Sequence, residues 1–153
     1  MLCSSVMIGR LLGIDYGAKR VGIALSDDAQ MFAFAKDIYS NDDTLIEKIA
    51  ELVVQEGVEK IVIGESDNPL GGSNTIMHRI TIFSEALKIR TELPVIEMNE
   101  AYSSAEARRA LETKIKTRKD KKVAVDAAAA AIILQTYLDK QKQELKEKIE
   151  NKK

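Results

Sequence analysis

Between Arg10 and Tyr39 the chain passes through three short apolar stretches, RLLGID (Arg10–Asp15), RVGIALS (Arg20–Ser26) and MFAFAKDIY (Met31–Tyr39), joined by only a few residues each. That brevity decides the local topology. A parallel pairing needs a crossover of about a dozen residues or more, and none fits here, so the three are consecutive antiparallel neighbours. After Tyr39 the period changes from two to 3.6. In DDTLIEKIAELVVQEG the residues Leu45, Ile46, Ile49, Leu52 and Val53 share one helical face. Asp42 or Asp43 is placed to cap this helix and Gly57 to end it. The very apolar KIVIG (Lys60–Gly64) follows as a fourth strand, and a helical crossover returns it parallel to the first.

The polar stretch ESDNPLGGSN reads as a loop, and a helix from about Thr75 to Arg90 turns Ile76, Ile80, Phe83 and Leu87 inward. LPVIEM (Leu93–Met98) is a fifth strand, and SSAEARRALE is a short, well-capped helix. TKIKTRKDKK (Thr113–Lys122) reads as a basic linker. From Val123 onward the chain is one long helix, apolar in VAVDAAAAAIILQTYL and charged in the remainder, which projects into solvent. The order β-β-β-α-β-α-β-α-α predicts an α/β fold of ribonuclease H-like architecture. It has a mixed five-stranded sheet, three antiparallel strands then two parallel, with helices on both faces. One domain spans 1–153, with its core over about 10–138 and a charged helical tail over 139–153.

Composition removes several classes. Apolar residues make up 45% and charged residues 31%, in the range of a globular chain. Cys3 is the only cysteine and His78 the only histidine, which excludes an internal disulfide, a multi-cysteine zinc site and a His-rich metal centre. The net charge of −1 leaves any nucleic-acid footprint to local clusters. No apolar run has membrane-spanning length and the start lacks a signal-peptide pattern, so a cytoplasmic location is expected.

Three isolated acids stand in apolar surroundings: Asp15 at the end of the first strand, Glu100 after the fifth, and Asp126 near the start of the last long helix. Parallel strands one, four and five put their carboxyl ends on one edge, and a helix starting across that edge adds a third carboxylate. Converging carboxylates repel each other, and a hard divalent cation with oxygen preference relieves that penalty. Such a site suits hydrolysis of a phosphodiester. Plainer readings exist for each: Asp15 in a turn salt bridge with Lys19 or Arg20, Glu100 as a solvated residue before a helix, Asp126 as an acid favoured by the helix dipole.

With these motifs the sequence resembles the YqgF (RuvX) family of Holliday junction resolvases and pre-16S rRNA processing nucleases, over about Leu11 to Leu138. GIDYGAKRVGIALSD is similar to its first motif, EKIVIGESDNPLGGSN to its strand-four and glycine-loop motif, NEAYSSAEAR to its Asp-Glu-Arg segment, and VDAAAAAIILQTYL to its last motif. The resemblance implies that Asp15, Glu100 and Asp126 are catalytic and hold Mg²⁺ or Mn²⁺. Two departures stand out. Asn99, Glu100 and Ala101 replace the usual Asp-Glu-Arg, so a charge and a guanidinium are lost. Strand four ends in Gly64, Glu65 where an apolar residue and proline are usual, and Glu65 is a candidate to supplement the site.

The expected partner is structured RNA, above all precursor rRNA, or branched DNA, bound by a monomer or homodimer with no membrane involved. Lys114, Lys116, Arg118, Lys119, Lys121 and Lys122 in the linker, with Lys19 and Arg20 after the first acid, form the candidate phosphate contacts. Gly64, Glu65, Gly71, Gly72 and Ser73 form a loop at the site, and free N–H groups before the helix suit a phosphate. With four tyrosines, three phenylalanines and no tryptophan, base stacking is a poor candidate for recognition, which should be of backbone and shape; Tyr16 and Tyr102 adjoin the acids, placed to pack on a sugar or base or within the site wall. Two other classes compete. A non-catalytic nucleic-acid scaffold fits the altered Asn99-Glu100-Ala101 motif. An actin-like ATPase shares a phosphate loop resembling GIDYG, but this chain is too short for two lobes.

Overall fold

The computed structural model describes residues 9–65, 73–98 and 121–151, with the side chains at 65, 73–78 and 121–126 outside that description. Five strands are present: β1 (Arg10–Tyr16), β2 (Arg20–Ser26), β3 (Ala33–Ser40), β4 (Val58–Glu65) and β5 (Val95–Glu97). Three helices accompany them among the described residues: α1 (Leu45–Glu56), α2 (Ser73–Thr91) and α3 (Lys121–Asn151).

The sheet runs β3-β2-β1-β4-β5. The pairs β1–β2 and β2–β3 are antiparallel, and β1–β4 and β4–β5 are parallel. This is the arrangement the connection lengths predict. Strand alternation divides the apolar residues between two faces. Leu12, Ile14, Val21, Ile23, Ile61 and Ile63 pack under α1 and α2, against Leu45, Ile49, Leu52, Ile80, Phe83 and Leu87. Leu11, Ala24 and Val62 pack on the other face under α3, against Ala130, Ile133, Leu134 and Leu138. β1 is therefore covered on both sides, which explains its nearly unbroken apolar sequence.

The seating of α3 fixes what lies at the strand ends. A Cβ added to Gly13 would fall 2.7 Å from Leu134 Cβ and 3.0 Å from the Ala130 carbonyl oxygen, so the helix rests directly on the backbone of β1. A Cβ on Gly64 would meet Ile133 Cδ1 at 2.9 Å. Ala127, Ala128, Ala130 and Ala131 are all buried, and these small residues permit the close approach. Toward the other end of the sheet the Lys60 ammonium donates to the Tyr137 hydroxyl at 3.2 Å. Residue numbers thus fall along α3 as they rise along β4. The helix runs against the parallel strands and begins at their carboxyl edge.

Several boundaries differ from the sequence reading. β3 starts at Ala33 because the Asp27 carboxylate accepts from the N–H groups of Met31, at 2.7 Å, and Phe32, at 3.0 Å, holding both in a turn. The N-cap of α1 is Thr44, whose side chain makes no capping bond, while the Asp42 carboxylate accepts from the Thr44 N–H at 2.9 Å. Gly57 ends α1 as expected, in the left-handed region at φ 64°, donating to the Val53 carbonyl. Glu65 closes β4 instead of opening a loop, and Ser73 is the first residue of α2. Lys121 and Lys122 belong to the first turn of α3 and not to a linker. The short helix expected after β5 lies outside the described residues. No described helix is long and apolar enough to cross a membrane.

Candidate functional site

Asp15 is the sixth residue of β1, and its carboxylate is buried, with the residue only 6% exposed. Alternation places it on the α3 face, two residues beyond Gly13. Its register partners are Gly22 on β2 and Gly64 on β4. An acid in the central strand is thus flanked on both sides by residues without side chains. A buried carboxylate costs several kcal/mol unless charge or hydrogen bonds offset it. The space over Gly64 is taken by Ile133, which a Cβ there would displace, so α3 packs directly beside Asp15. Asp15 and Gly64 stand out in the sequence; Gly13 and Gly22 do not. The spacing of glycines in GIDYGAKRVG was the available signal, once the hairpin register was known.

α3 brings position 126 to the same edge. Ala130, Leu134 and Leu138 form the stripe that lies on β1 and its neighbours, and position 126 stands one turn before Ala130 in that series. Since the helix runs against β1, the step from Ala130 to position 126 leads from Gly13 toward the strand end that carries Asp15. Glu100 lies outside the described residues, three positions beyond the end of β5. No group of three or more His, Cys, Asp or Glu side chains placed to hold a metal ion occurs among the described residues. Glu65 pairs in register with Tyr16, not with Asp15.

Of the candidate phosphate contacts, Lys19 and Arg20 sit exposed in and after the β1–β2 turn, at the same edge as Asp15. That turn is fastened by Asn41, whose side-chain amide donates to the Gly17 carbonyl at 2.7 Å and whose N–H donates to the Lys19 carbonyl at 2.9 Å. Lys121 and Lys122 stand in the first turn of α3, where no acid accompanies them and the helix dipole opposes their charge. Lys114, Lys116, Arg118, Lys119, Gly71 and Gly72 lie outside the described residues.

Comparison with known proteins identifies the lineage. The model of the RuvX family, described as Holliday junction resolvase, matches residues 9–140. The chain belongs to the RuvX family. RuvX relatives similar to it include a protein of Sulfurihydrogenibium sp. (strain YO3AOP1) named "Putative pre-16S rRNA nuclease". It is 35% identical over 136 residues, covering 87% of this chain and 92% of the relative. A Listeria monocytogenes protein of the same name is 35% identical over 137 residues, covering 85% and 97%. Among solved structures, Thermus thermophilus RuvC in complex with a Holliday junction substrate superposes with a TM-score of 0.58 at 14% identity, over 84% of this chain and 91% of that one. The yeast mitochondrial Holliday junction resolvase Ydc2 gives 0.51 at 11% identity, over 86% and 78%. These likenesses establish the ribonuclease H-like fold. By family this RuvX chain is a nuclease, a hydrolase of phosphodiester bonds.

Proposed function

We propose that this chain is a divalent-metal-dependent endonuclease acting on structured RNA, in maturation of the 5′ end of pre-16S rRNA. The observation that carries the reading is the setting of Asp15: a buried carboxylate at the carboxyl edge of the central parallel strands, flanked by Gly22 and Gly64, with the N-terminal part of α3 arriving from above. The names of the relatives at 35% identity favour the rRNA substrate.

In this reading Asp15, Glu100 and Asp126 hold Mg²⁺ or Mn²⁺. The donor set fits, being all carboxylate oxygen, the chemistry hard cations prefer. When bound, the metal supplies an activated water and neutralises charge on the scissile phosphate. The chain's own part is positional. The close seating of α3 on Gly13 fixes the approach of Asp126. The Asn41 clasp holds the turn that presents Lys19 and Arg20 to phosphates flanking the cleaved bond. Lys121 and Lys122, with Lys114, Lys116, Arg118 and Lys119, continue that contact along the strand. Glu65 adds an acid one residue past Gly64. Binding by such contacts weakens steeply with salt. The whole chain acts as one domain in the cytoplasm, as monomer or homodimer.

The test is cleavage of a precursor 16S rRNA fragment with Mg²⁺ or Mn²⁺ by the natural chain and by Asp15→Asn. Loss of an outer-shell group around a metal already costs roughly ten- to a hundredfold, so a ligand should cost at least about a hundredfold. Equal cleavage by both proteins removes the assignment. The family description favours a second substrate, branched DNA. A four-way junction run in parallel separates the two, since preferential junction cleavage would replace the rRNA reading with resolution.

A further inference from the structure

A concavity opens at the same edge of the sheet, on the face opposite Asp15. It is a cleft of about 540 Å³ between the start of α1 and the middle of α2. Tyr16, Leu45, Ile46, Ile82, Phe83 and Ala86 give it an apolar wall, and Asn41, Asp42, Asp43 and Arg79 a polar rim. The size lies within the range of small-ligand pockets. The Tyr16 and Phe83 rings support each other with centroids 4.9 Å apart, so the aromatic wall is braced. Asp42 is held below the usual carboxylate range by its hydrogen bonds from Thr44 and stays ionised as an acceptor at neutral pH. Arg79 is an exposed cation on the opposite bank.

We infer that this cleft receives one unpaired nucleotide of the substrate strand, next to the cleaved bond, with its base against the Tyr16 side. The inference rests on the nuclease reading of Asp15. Tyr16 directly follows Asp15, about 3.8 Å away along the backbone, and alternation sends the two side chains to opposite faces at one edge. A strand whose phosphate lies at Asp15 therefore crosses the rim of the sheet to reach the cleft, which a paired, stacked nucleotide cannot do. The chemistry of the lining matches the parts of a nucleotide. An aromatic and aliphatic wall takes a base face without reading its identity. Arg79 takes a phosphate. Asn41 and the two aspartates accept from sugar hydroxyls and base amino groups, and the same acids repel a second phosphate, so the cleft holds one residue and not a duplex backbone.

The experiment is an anisotropy titration with an RNA hairpin, blunt or extended by several unpaired nucleotides, on the full chain carrying Asp15→Asn to prevent turnover. The extension should tighten binding about tenfold, the scale of one stacked base. Ala86→Trp, which fills the cleft, and Arg79→Ala, a fully surface change, should each bring that gain to about twofold or less while blunt-hairpin affinity holds. No gain from the extension, or the full gain persisting in Ala86→Trp with an unchanged melting temperature, overturns the inference. Cleavage by the natural chain is scored on the same two hairpins. Asp15-dependent cleavage without an extension preference sinks the cleft alone. An extension preference lost in Ala86→Trp, without Asp15-dependent cleavage, upholds the cleft and sinks the nuclease reading.

Discussion

Asp27 carries more of the local architecture than its surface position suggests. Its carboxylate gathers the N–H groups of Phe32 and Met31, and the Phe32 bond is the main reason its pKa lies below the ordinary value. A depressed folded pKa means the stabilisation is present above the unfolded value, about 3.9, and is lost as pH falls through the folded one. Asp27→Ala should cost about 1 kcal/mol at pH 7, like the loss of a helix cap. The gap between variant and natural chain, read by urea unfolding, should narrow below about pH 4. A constant gap down to pH 3 would show that the carboxylate's charge is not what holds the turn. Asp15 differs in kind. It lies buried near the end of an apolar strand, between Gly22 and Gly64 in register, and the proposed site gives that charge a role.

At the level of elements, the contact between α3 and β1 sets the height of the helix over the strand, and it can be loosened by one methyl group. Gly13→Ala sets a Cβ against Leu134 Cβ and the Ala130 carbonyl, parts of the helix that cannot swing aside. Gly64→Ala meets only the outer atoms of Ile133, which can change rotamer. Overpacking of this type costs roughly 1–3 kcal/mol. Gly13→Ala should fall at the upper end and Gly64→Ala at the lower, by chemical denaturation. The reverse order would mean that α3 rides higher over β1 than over β4. The alternating runs and short connections made the sheet order legible in the sequence, and the alanine-rich start of α3 announced a close-packed helix. The helix ends were less legible. Thr44 became the N-cap because Asp42 spends its carboxylate on the Thr44 N–H and hydroxyl, a local competition that composition does not rank. Asp15 was legible as an anomaly of burial. The Tyr16 cleft was not, since Tyr16, Asn41 and Phe83 come from β1, the turn before α1 and α2, and meet only through the fold.

For the molecule as a whole, the body ends before the chain does. Lys142 still touches it, donating to the Met31 carbonyl at 3.0 Å and lying over the Phe32 ring, but residues 143–151 of α3 are exposed on every side. Truncation after Lys142 should leave the free energy of unfolding within about 0.5 kcal/mol, while the helical circular dichroism drops by the missing turns. A large loss of stability on truncation, growing with protein dilution, would show instead that the tail serves a dimer. The proposed function requires that Asp15, Glu100 and Asp126, distant along the chain, share one cation at a single rim of the sheet. Calorimetric titration of Mn²⁺ into the full chain tests that most directly. The account predicts binding by the natural protein and its loss in both Asp15→Asn and Asp126→Asn, with each variant still folded. Undiminished Mn²⁺ binding by Asp126→Asn beside its loss in Asp15→Asn would contradict it.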